Sequence, residues 1–92
     1  MHLPTEIEVE RRNRIRLLLA SYAYEFKSET FLTDQEFDKL ALKIQPEIET
    51  GHEVCDEFFK NKFHPSTGQW IHDFPELDKL ANLYKNLTLT NY

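Results

Sequence analysis

The sequence is poor in the residues that mark several protein classes. It has one cysteine, two glycines and four prolines among 92 residues. One cysteine excludes a disulfide framework and favours a reducing compartment, so we expect a cytoplasmic protein. The few glycines and prolines argue against a turn-rich β fold and against low complexity. The longest uninterrupted apolar run is Leu17–Ala20, far shorter than a membrane span or the core of a signal peptide, so we expect no membrane association.

Aromatic residues, by contrast, are plentiful, with seven Phe, four Tyr and one Trp. Disordered chains lack aromatic residues at this density, so we expect one folded domain over residues 1–92. The formal net charge is −5, which disfavours direct binding to nucleic acid because the phosphate backbone would be repelled. A negative surface suits a basic protein partner instead.

Apolar residues recur every three or four positions, which is typical of amphipathic helices. Three strings resemble capping boxes, in which a polar residue precedes a Glu by three positions; they begin at Thr5, Thr33 and Asp73. Helices are predicted over about 6–27, 34–45 and 75–87, with another that begins at or after Pro46 and carries Phe58 and Phe59. Residues 69–72 are expected to be extended or irregular, and residues 88–92 to form a frayed tail. The sequence therefore predicts an all-α fold of three to four helices, in which the first two form an antiparallel hairpin and the C-terminal helices pack across it.

All the arginines lie within six residues of the first predicted helix: Arg11, Arg12, Arg14 and Arg16. Two interpretations are open. The arginines could lie on a solvated helix face, with Glu8 and Glu10 one turn earlier as ion-pair partners. They could instead form an anion patch, because guanidinium groups are preferred ligands of phosphate.

Aromatic and acidic residues face each other across the predicted hairpin. Tyr22 and Tyr24 lie near the end of the first helix, and Asp34 and Asp38 lie one turn apart at the start of the second. If the two helices fold back on each other, these side chains converge beside the connecting loop. Such a cluster suits a flat, electron-poor ring carrying a hydroxylated sugar, because the ring stacks while carboxylates accept hydrogen bonds.

The stretch Leu17–Leu40, LLLASYAYEFKSETFLTDQEFDKL, resembles the N-terminal helical subdomain of NAD-dependent DNA ligases, and the similarity extends over residues 11–45. That subdomain binds the nicotinamide mononucleotide (NMN) half of NAD. The residues that match the family motif are Tyr22, Tyr24, Asp34 and Asp38. The resemblance implies that Tyr24 stacks near the nicotinamide and that the two aspartates hold polar groups of NMN or NAD.

The sequence departs from the ligase pattern at several positions. Glu25 stands where the family has His or Tyr, and Phe37 stands where it has Tyr, so one hydroxyl is lost. A carboxylate at position 25 repels a nucleotide phosphate. The K-x-D-G string that carries the lysine nucleophile of this family is absent. The sequence therefore predicts neither a ligase nor any other enzyme.

The second half of the sequence, FHPSTGQWIHDFPELDKL, is similar to a string in small bacteriophage proteins. Trp70 and Phe74 lie in this string, and they form either an exposed surface for a partner or part of a small core. Four residues could ligate zinc at unusual spacing: His52, Cys55, His64 and His72. A single cysteine without a C-x-x-C pair supports zinc poorly, so we predict no metal site.

Two functions follow from these observations. The favoured one is a non-catalytic, phage-related protein that binds a host protein through an acidic aromatic surface. The alternative is a stand-alone module that binds NMN or NAD. The cluster of Tyr22, Tyr24, Asp34 and Asp38 discriminates between them: an open pocket favours the nucleotide, and a cluster that is packed shut favours the protein partner.

Overall fold

A computed structural model describes residues 5–90, with the side chains of residues 5–87. The described chain forms four α-helices and a short 3-10 helix, and it contains no strand. The elements are α1 (Glu6–Lys27), α2 (Asp34–Lys43), α3 (Glu53–Asn61), η1 (Gln69–Asp73) and α4 (Leu77–Thr90). The predicted all-α fold is confirmed. None of these helices is both long enough and apolar enough to cross a membrane.

Local capping fixes where the first two helices begin. The Thr5 hydroxyl accepts a hydrogen bond from Glu8 N at 3.2 Å and starts α1. At α2 both halves of the capping box form, because Glu36 N donates to the Thr33 hydroxyl and Thr33 N donates to the Glu36 carboxylate. The predicted bounds of α1 are confirmed, while α2 ends at Lys43, two residues earlier than predicted.

The first two helices form the predicted antiparallel hairpin. Glu10, near the start of α1, accepts a hydrogen bond from Gln45 N, just beyond the end of α2, at 3.1 Å. The N-terminal end of α1 therefore lies beside the C-terminal end of α2. Helix α1 also contacts η1 and α4, so it is the central helix, and the C-terminal elements pack across the hairpin as predicted.

The central position of α1 changes which of its residues are buried. Every residue from Leu17 to Ala23 is buried, including Ser21. Ile15 and Phe26, which the helical periodicity assigns to the apolar stripe, are both exposed. A single stripe is expected when one neighbour covers a helix, whereas three elements surround the middle of α1 and leave its ends open.

Trp70 and Phe74 belong to the core, which corrects their assignment to a partner surface. Trp70 is only 5% exposed, and Phe74 is buried as well. The Trp70 ring lies 5.9 Å from Phe58 and 5.2 Å from Phe63, both edge-on, and its Nε1 donates to the Thr67 carbonyl. The interpretation that this tryptophan closes a small core is therefore confirmed.

The segment between α2 and α3 is a loop, so the third helix begins well after Pro46, the earliest start that the sequence allowed. Helix α3 begins only at Glu53. Gly51 has a φ of 89°, which is left-handed backbone that breaks a helix, and a Cβ there would lie 3.1 Å from Arg11 Nη2. At the other end of the chain, α4 begins at Leu77 and extends to Thr90, into the predicted tail. Residues 91 and 92 of that tail lie outside the described residues.

Candidate functional site

A pocket of about 220 Å³ lies beside the loop that joins α1 to α2, and we call it the hairpin pocket. Its wall combines the end of α1, the connecting loop, the start of α2 and the turn before η1. Aromatic and acidic side chains dominate this wall: Tyr24, Glu25, Phe31, Asp34, Phe37 and Asp38. The hairpin therefore places an open cavity where the sequence predicted a ligand site.

Three of the four predicted ligand residues line the hairpin pocket, and Tyr22 does not. Tyr22 is buried on another side of α1, where its ring stacks 5.1 Å from Phe26 and lies 5.4 Å from Tyr84. Residues two apart in a helix are about 200° apart around the axis, so Tyr22 and Tyr24 point in nearly opposite directions. Including Tyr22 in the site was wrong, and helical geometry alone excludes it.

The aromatic side chains differ in how far they reach into solvent. Tyr24 is 67% exposed, and Phe31 is exposed as well. Phe37 is half-buried and packs under the turn that contains Gly68, where an added Cβ would lie 3.3 Å from the Phe37 ring and 3.6 Å from Ser21 Oγ. Tyr24 and Phe31 therefore offer free ring faces, whereas Phe37 is part of a packed wall.

Ser21 contributes a buried polar group to the same wall. Its hydroxyl has no hydrogen-bond partner among the described residues, and the residue is 1% exposed. A buried hydroxyl without a partner costs about 1–3 kcal/mol, and native proteins keep few of them. The hydroxyl can both donate and accept, but it is closed off from solvent, so an occupant of the pocket reaches it only when the wall shifts.

The hairpin pocket is negatively charged. Glu25, Asp34 and Asp38 are in its wall, and none of the described residues that line it is Lys, Arg or His. The nearest cationic partner that the structure records is His72, whose Nε2 lies 3.5 Å from Glu25 Oε2 and pairs with it when protonated. Such a site attracts cations and repels phosphate.

The arginine cluster is divided between the interior and the surface. Arg14 is 2% exposed, and its guanidinium bonds Glu10 Oε2 at 2.6 Å and Asp56 Oδ1 at 2.8 Å. Both N–H groups of Nη2 donate to backbone carbonyls, those of Gln45 and Ile48. The predicted pair of Glu10 and Arg14 is confirmed, but it lies in the interior and not on a solvated face.

The other three arginines are all exposed. Arg11 also donates to the Thr50 carbonyl, which ties it to the loop before α3. Arg14, which belongs to the predicted patch, is fully committed inside the protein. The expectation of an anion patch is therefore wrong in its central residue, and the patch does not border the hairpin pocket.

Asp56 completes the buried charge cluster at the start of α1. Burial alone would raise the pKa of Asp56, but hydrogen bonds from the hydroxyl and amide of Thr50 and from Arg14 outweigh it and hold that pKa below its usual value. The carboxylate thus joins α1 to the loop before α3. This partner lies 42 positions from Arg14, and no local pattern indicated it.

A second pocket, of about 460 Å³, lies between α1, the start of α3 and α4. Its wall is mostly apolar, and at its rim are His52, Cys55 and Glu76. Burial, followed by the nearby Glu76 carboxylate, raises the pKa of the Cys55 thiol, while a hydrogen bond from Lys79 lowers the pKa of Glu76. Of the four possible zinc ligands in the sequence only His52 and Cys55 meet here, because His72 lies beside Glu25 and His64 does not line this pocket.

The chain matches no family model, and no curated protein or solved structure matches it. The resemblance to the ligase subdomain and the similarity to phage proteins therefore stay predictions, and the arrangement of the two pockets has to indicate the function.

Proposed function

We propose that this protein is a non-catalytic binding module that takes a basic protein partner through the hairpin pocket, with an arginine side chain of the partner as the occupant. One observation carries the proposal: exposed aromatic rings and three carboxylates surround a cavity in which no described residue supplies a positive charge. A host protein is the expected partner, following the similarity of the second half to phage proteins.

A guanidinium group fits this wall better than other cations do. It is planar and stacks on aromatic faces, and Tyr24 and Phe31 have exposed rings at the mouth. Its five N–H groups match carboxylate acceptors, which Asp34 and Asp38 provide, and Ser21 Oγ becomes a further acceptor if the wall shifts to expose it. Stacking contributes about 0.5–2 kcal/mol, and each hydrogen bond between charged groups about 1.5–3 kcal/mol.

An open pocket is the outcome expected for the second candidate, a nicotinamide nucleotide, whereas a closed cluster was expected for a protein partner. The charge of the wall, and not its openness, therefore favours the arginine side chain. The pocket is open where the resemblance expects NMN, and Tyr24, Asp34 and Asp38 are three of the matching residues. The nicotinamide ring of NMN is a pyridinium cation, so the ring itself suits the carboxylates. Its phosphate does not, because Glu25 and the two aspartates repel it. Nicotinamide riboside, which lacks the phosphate, should therefore bind better than NMN.

The test is a titration of the isotope-labelled protein, followed through its amide resonances. The ligands are short peptides identical except for one residue, which is arginine, lysine or citrulline, together with nicotinamide riboside and NMN. Citrulline keeps the shape of arginine and lacks the charge. We expect saturable shifts around residues 24–38 with arginine, weaker ones with lysine and none with citrulline. Equal shifts for citrulline, or no shifts with any peptide, would contradict the arginine site, and tight binding of NMN would establish the nucleotide function.

Variants of the pocket make the test specific. Asp34→Asn and Asp38→Asn each remove a charge and keep the shape, so each should weaken the arginine peptide about tenfold, as expected for losing a hydrogen bond between charged groups. Glu57→Gln is the matched control, because Glu57 is an exposed acid on α3 that does not line the pocket. If Glu57→Gln weakens binding as much, only the net charge attracts the peptide, and the pocket is not the site.

A further inference from the structure

A cluster with three different donor atoms lies at the rim of the second pocket, away from the hairpin pocket. One ligand atom each from His52, Cys55 and Glu76 lies within 4.8 Å of both others. The three residues come from two separate helix starts, since His52 caps α3, Cys55 lies in its first turn and Glu76 directly precedes α4. We propose that these residues bind a zinc ion, leaving a fourth position open toward the second pocket.

The donor set suits zinc by its chemistry. Imidazole nitrogen, thiolate sulfur and carboxylate oxygen are the ligands that zinc uses, and a mixed set of this kind disfavours the oxygen-seeking magnesium and calcium ions. Three protein ligands with one open position are typical of zinc sites that hold water or a further ligand. Only one of the three donors is a carboxylate.

The distances need only a small adjustment. Zinc bonds of about 2.0–2.3 Å place tetrahedral ligand atoms about 3.3–3.8 Å apart. His52 Nε2 and Glu76 Oε1 are already 3.7 Å apart. All three ligand atoms lie within 4.8 Å of one another, so no separation must shorten by more than about 1 to 1.5 Å. The His52 side chain is 53% exposed, so its ring can rotate without repacking the core.

The second carboxylate oxygen of Glu76 is held by another residue. Lys79 Nζ bonds Glu76 Oε2 at 2.8 Å, while Oε1 faces His52. The lysine thus orients the carboxylate and leaves one oxygen for the metal, as outer partners of metal ligands commonly do. Lys79 is mostly exposed, so water screens its repulsion of the zinc ion.

Metal binding has one structural cost, which limits the affinity. His52 Nδ1 accepts a hydrogen bond from Cys55 N at 3.3 Å and so caps α3. Coordination through Nε2 puts the ring proton on Nδ1, which can then no longer accept this hydrogen bond. The N–H of Cys55 must donate to water instead. The N–H groups in the first turn of an exposed helix commonly do so. We therefore expect micromolar binding and not the tighter binding of a closed four-ligand site.

The apolar wall beside the open position indicates what could reach the metal. Leu18, Phe74 and Leu80 line the second pocket behind the cluster. A fourth ligand arriving from this side would combine a donor atom with an apolar body. Water occupies the fourth position in the simplest case, and cobalt binding reports the three protein ligands whether water or another ligand is there.

The test uses the untagged full chain and cobalt(II), which replaces zinc and reports its ligands by absorption. We expect one equivalent of cobalt to give a sulfur-to-cobalt charge-transfer band with intense visible bands of tetrahedral cobalt, and zinc to displace it. Cys55→Ser should abolish the charge-transfer band, and Glu76→Gln should weaken binding about tenfold or more. His64→Gln is the matched control, because His64 is exposed and outside the cluster, and it should bind like the wild type.

Thermal unfolding separates loss of the site from loss of the fold. Zinc should raise the melting temperature of the wild type and of His64→Gln, and it should leave that of Cys55→Ser unchanged. Circular dichroism of each metal-free variant verifies that it is helical. Octahedral cobalt spectra without a sulfur band, or equal stabilisation of Cys55→Ser, would overturn the proposal.

Discussion

The two ends of α1 use charge in opposite ways. At its start, Arg14 is buried between the carboxylates of Glu10 and Asp56, and two backbone carbonyls accept hydrogen bonds from its Nη2. At its end, Asp34 and Asp38 stand in the wall of an open pocket, and no described residue forms an ion pair with either. A charge that is buried with its partners fixes the fold, whereas a charge left open to solvent is available for a ligand.

The difference also explains why the two ends tolerate change differently. Removing one member of a buried ion cluster leaves the others without partners, at a cost of several kcal/mol. Removing an exposed carboxylate costs the fold little, because water already solvates it. Substitutions at the start of α1 should therefore change the stability of the fold, and substitutions in the pocket at its end should change ligand binding.

The largest effect should come from Arg14→Met. The substitution leaves Glu10 and Asp56 without their cation in the interior, so the free energy of unfolding should fall by about 3–5 kcal/mol. Urea unfolding measures it, and Arg12→Met, an exposed neighbour, should change it by less than about 0.5 kcal/mol. A loss below about 1 kcal/mol for Arg14→Met would show that the cluster does not hold the start of α1.

The pH dependence of stability should follow from Asp56. Its pKa is lower in the folded protein than the ordinary 3.8, so the unfolded chain binds the proton more readily. The stability it contributes is present above pH 4 and is lost as the pH falls through the folded-state pKa. Asp56→Asn should lower the free energy of unfolding by about 1.5–3 kcal/mol at neutral pH. It should also flatten the acid limb of the plot of that free energy against pH, which unfolding at several pH values measures. Glu57→Gln should leave that limb unchanged, and an unchanged limb in Asp56→Asn would contradict the assignment.

A smaller effect is expected at the pocket end from Gly68→Ala. The backbone of Gly68 is ordinary, with a φ of −111°, but the new methyl would lie 3.3 Å from the Phe37 ring. We expect a loss of about 1 kcal/mol from overpacking, together with a narrower pocket and weaker binding of the arginine peptide. Gln69→Ala, the next residue, is the control, because Gln69 is exposed and does not line the pocket. Unchanged binding in Gly68→Ala would mean that the wall yields to its occupant.

The smallest effect, and one of opposite sign, should come from Ser21→Ala. Because the buried hydroxyl has no described partner, its removal should leave stability unchanged or raise it by up to about 1 kcal/mol. Affinity for the arginine peptide should fall severalfold if the hydroxyl accepts from the ligand. A clear loss of stability would instead reveal a structural role for Ser21.

The sequence was informative wherever the determining contacts are local. The starts of α1 and α2 follow from caps three residues long, and the Glu10–Arg14 pair follows from one helical turn. The position of the hairpin pocket follows from the same two helices. These features depend on residues that are close along the chain, so periodicity and capping rules predict them.

Features that depend on distant partners were not predicted. Arg14 is buried because Asp56, 42 residues away, meets it, and Glu76 lies beside His52 because η1 and α4 pack on α1. The burial of Trp70 was one of two interpretations that the sequence left open, and contact with the Phe58 ring from α3 decides between them. Tyr22 is a different case, because the spacing of two residues already placed it away from Tyr24.

The hydrogen bond of Trp70 has a spectroscopic consequence. Its indole Nε1 donates to the carbonyl of Thr67, and Thr67 lies in the wall of the hairpin pocket. The chain has a single tryptophan, so its fluorescence comes from one buried indole attached to that wall. A ligand that displaces the turn at residues 66–68 should change the emission of Trp70 without touching it. The protein thus carries its own optical reporter for occupancy of the pocket, and no dye or label is needed to follow binding.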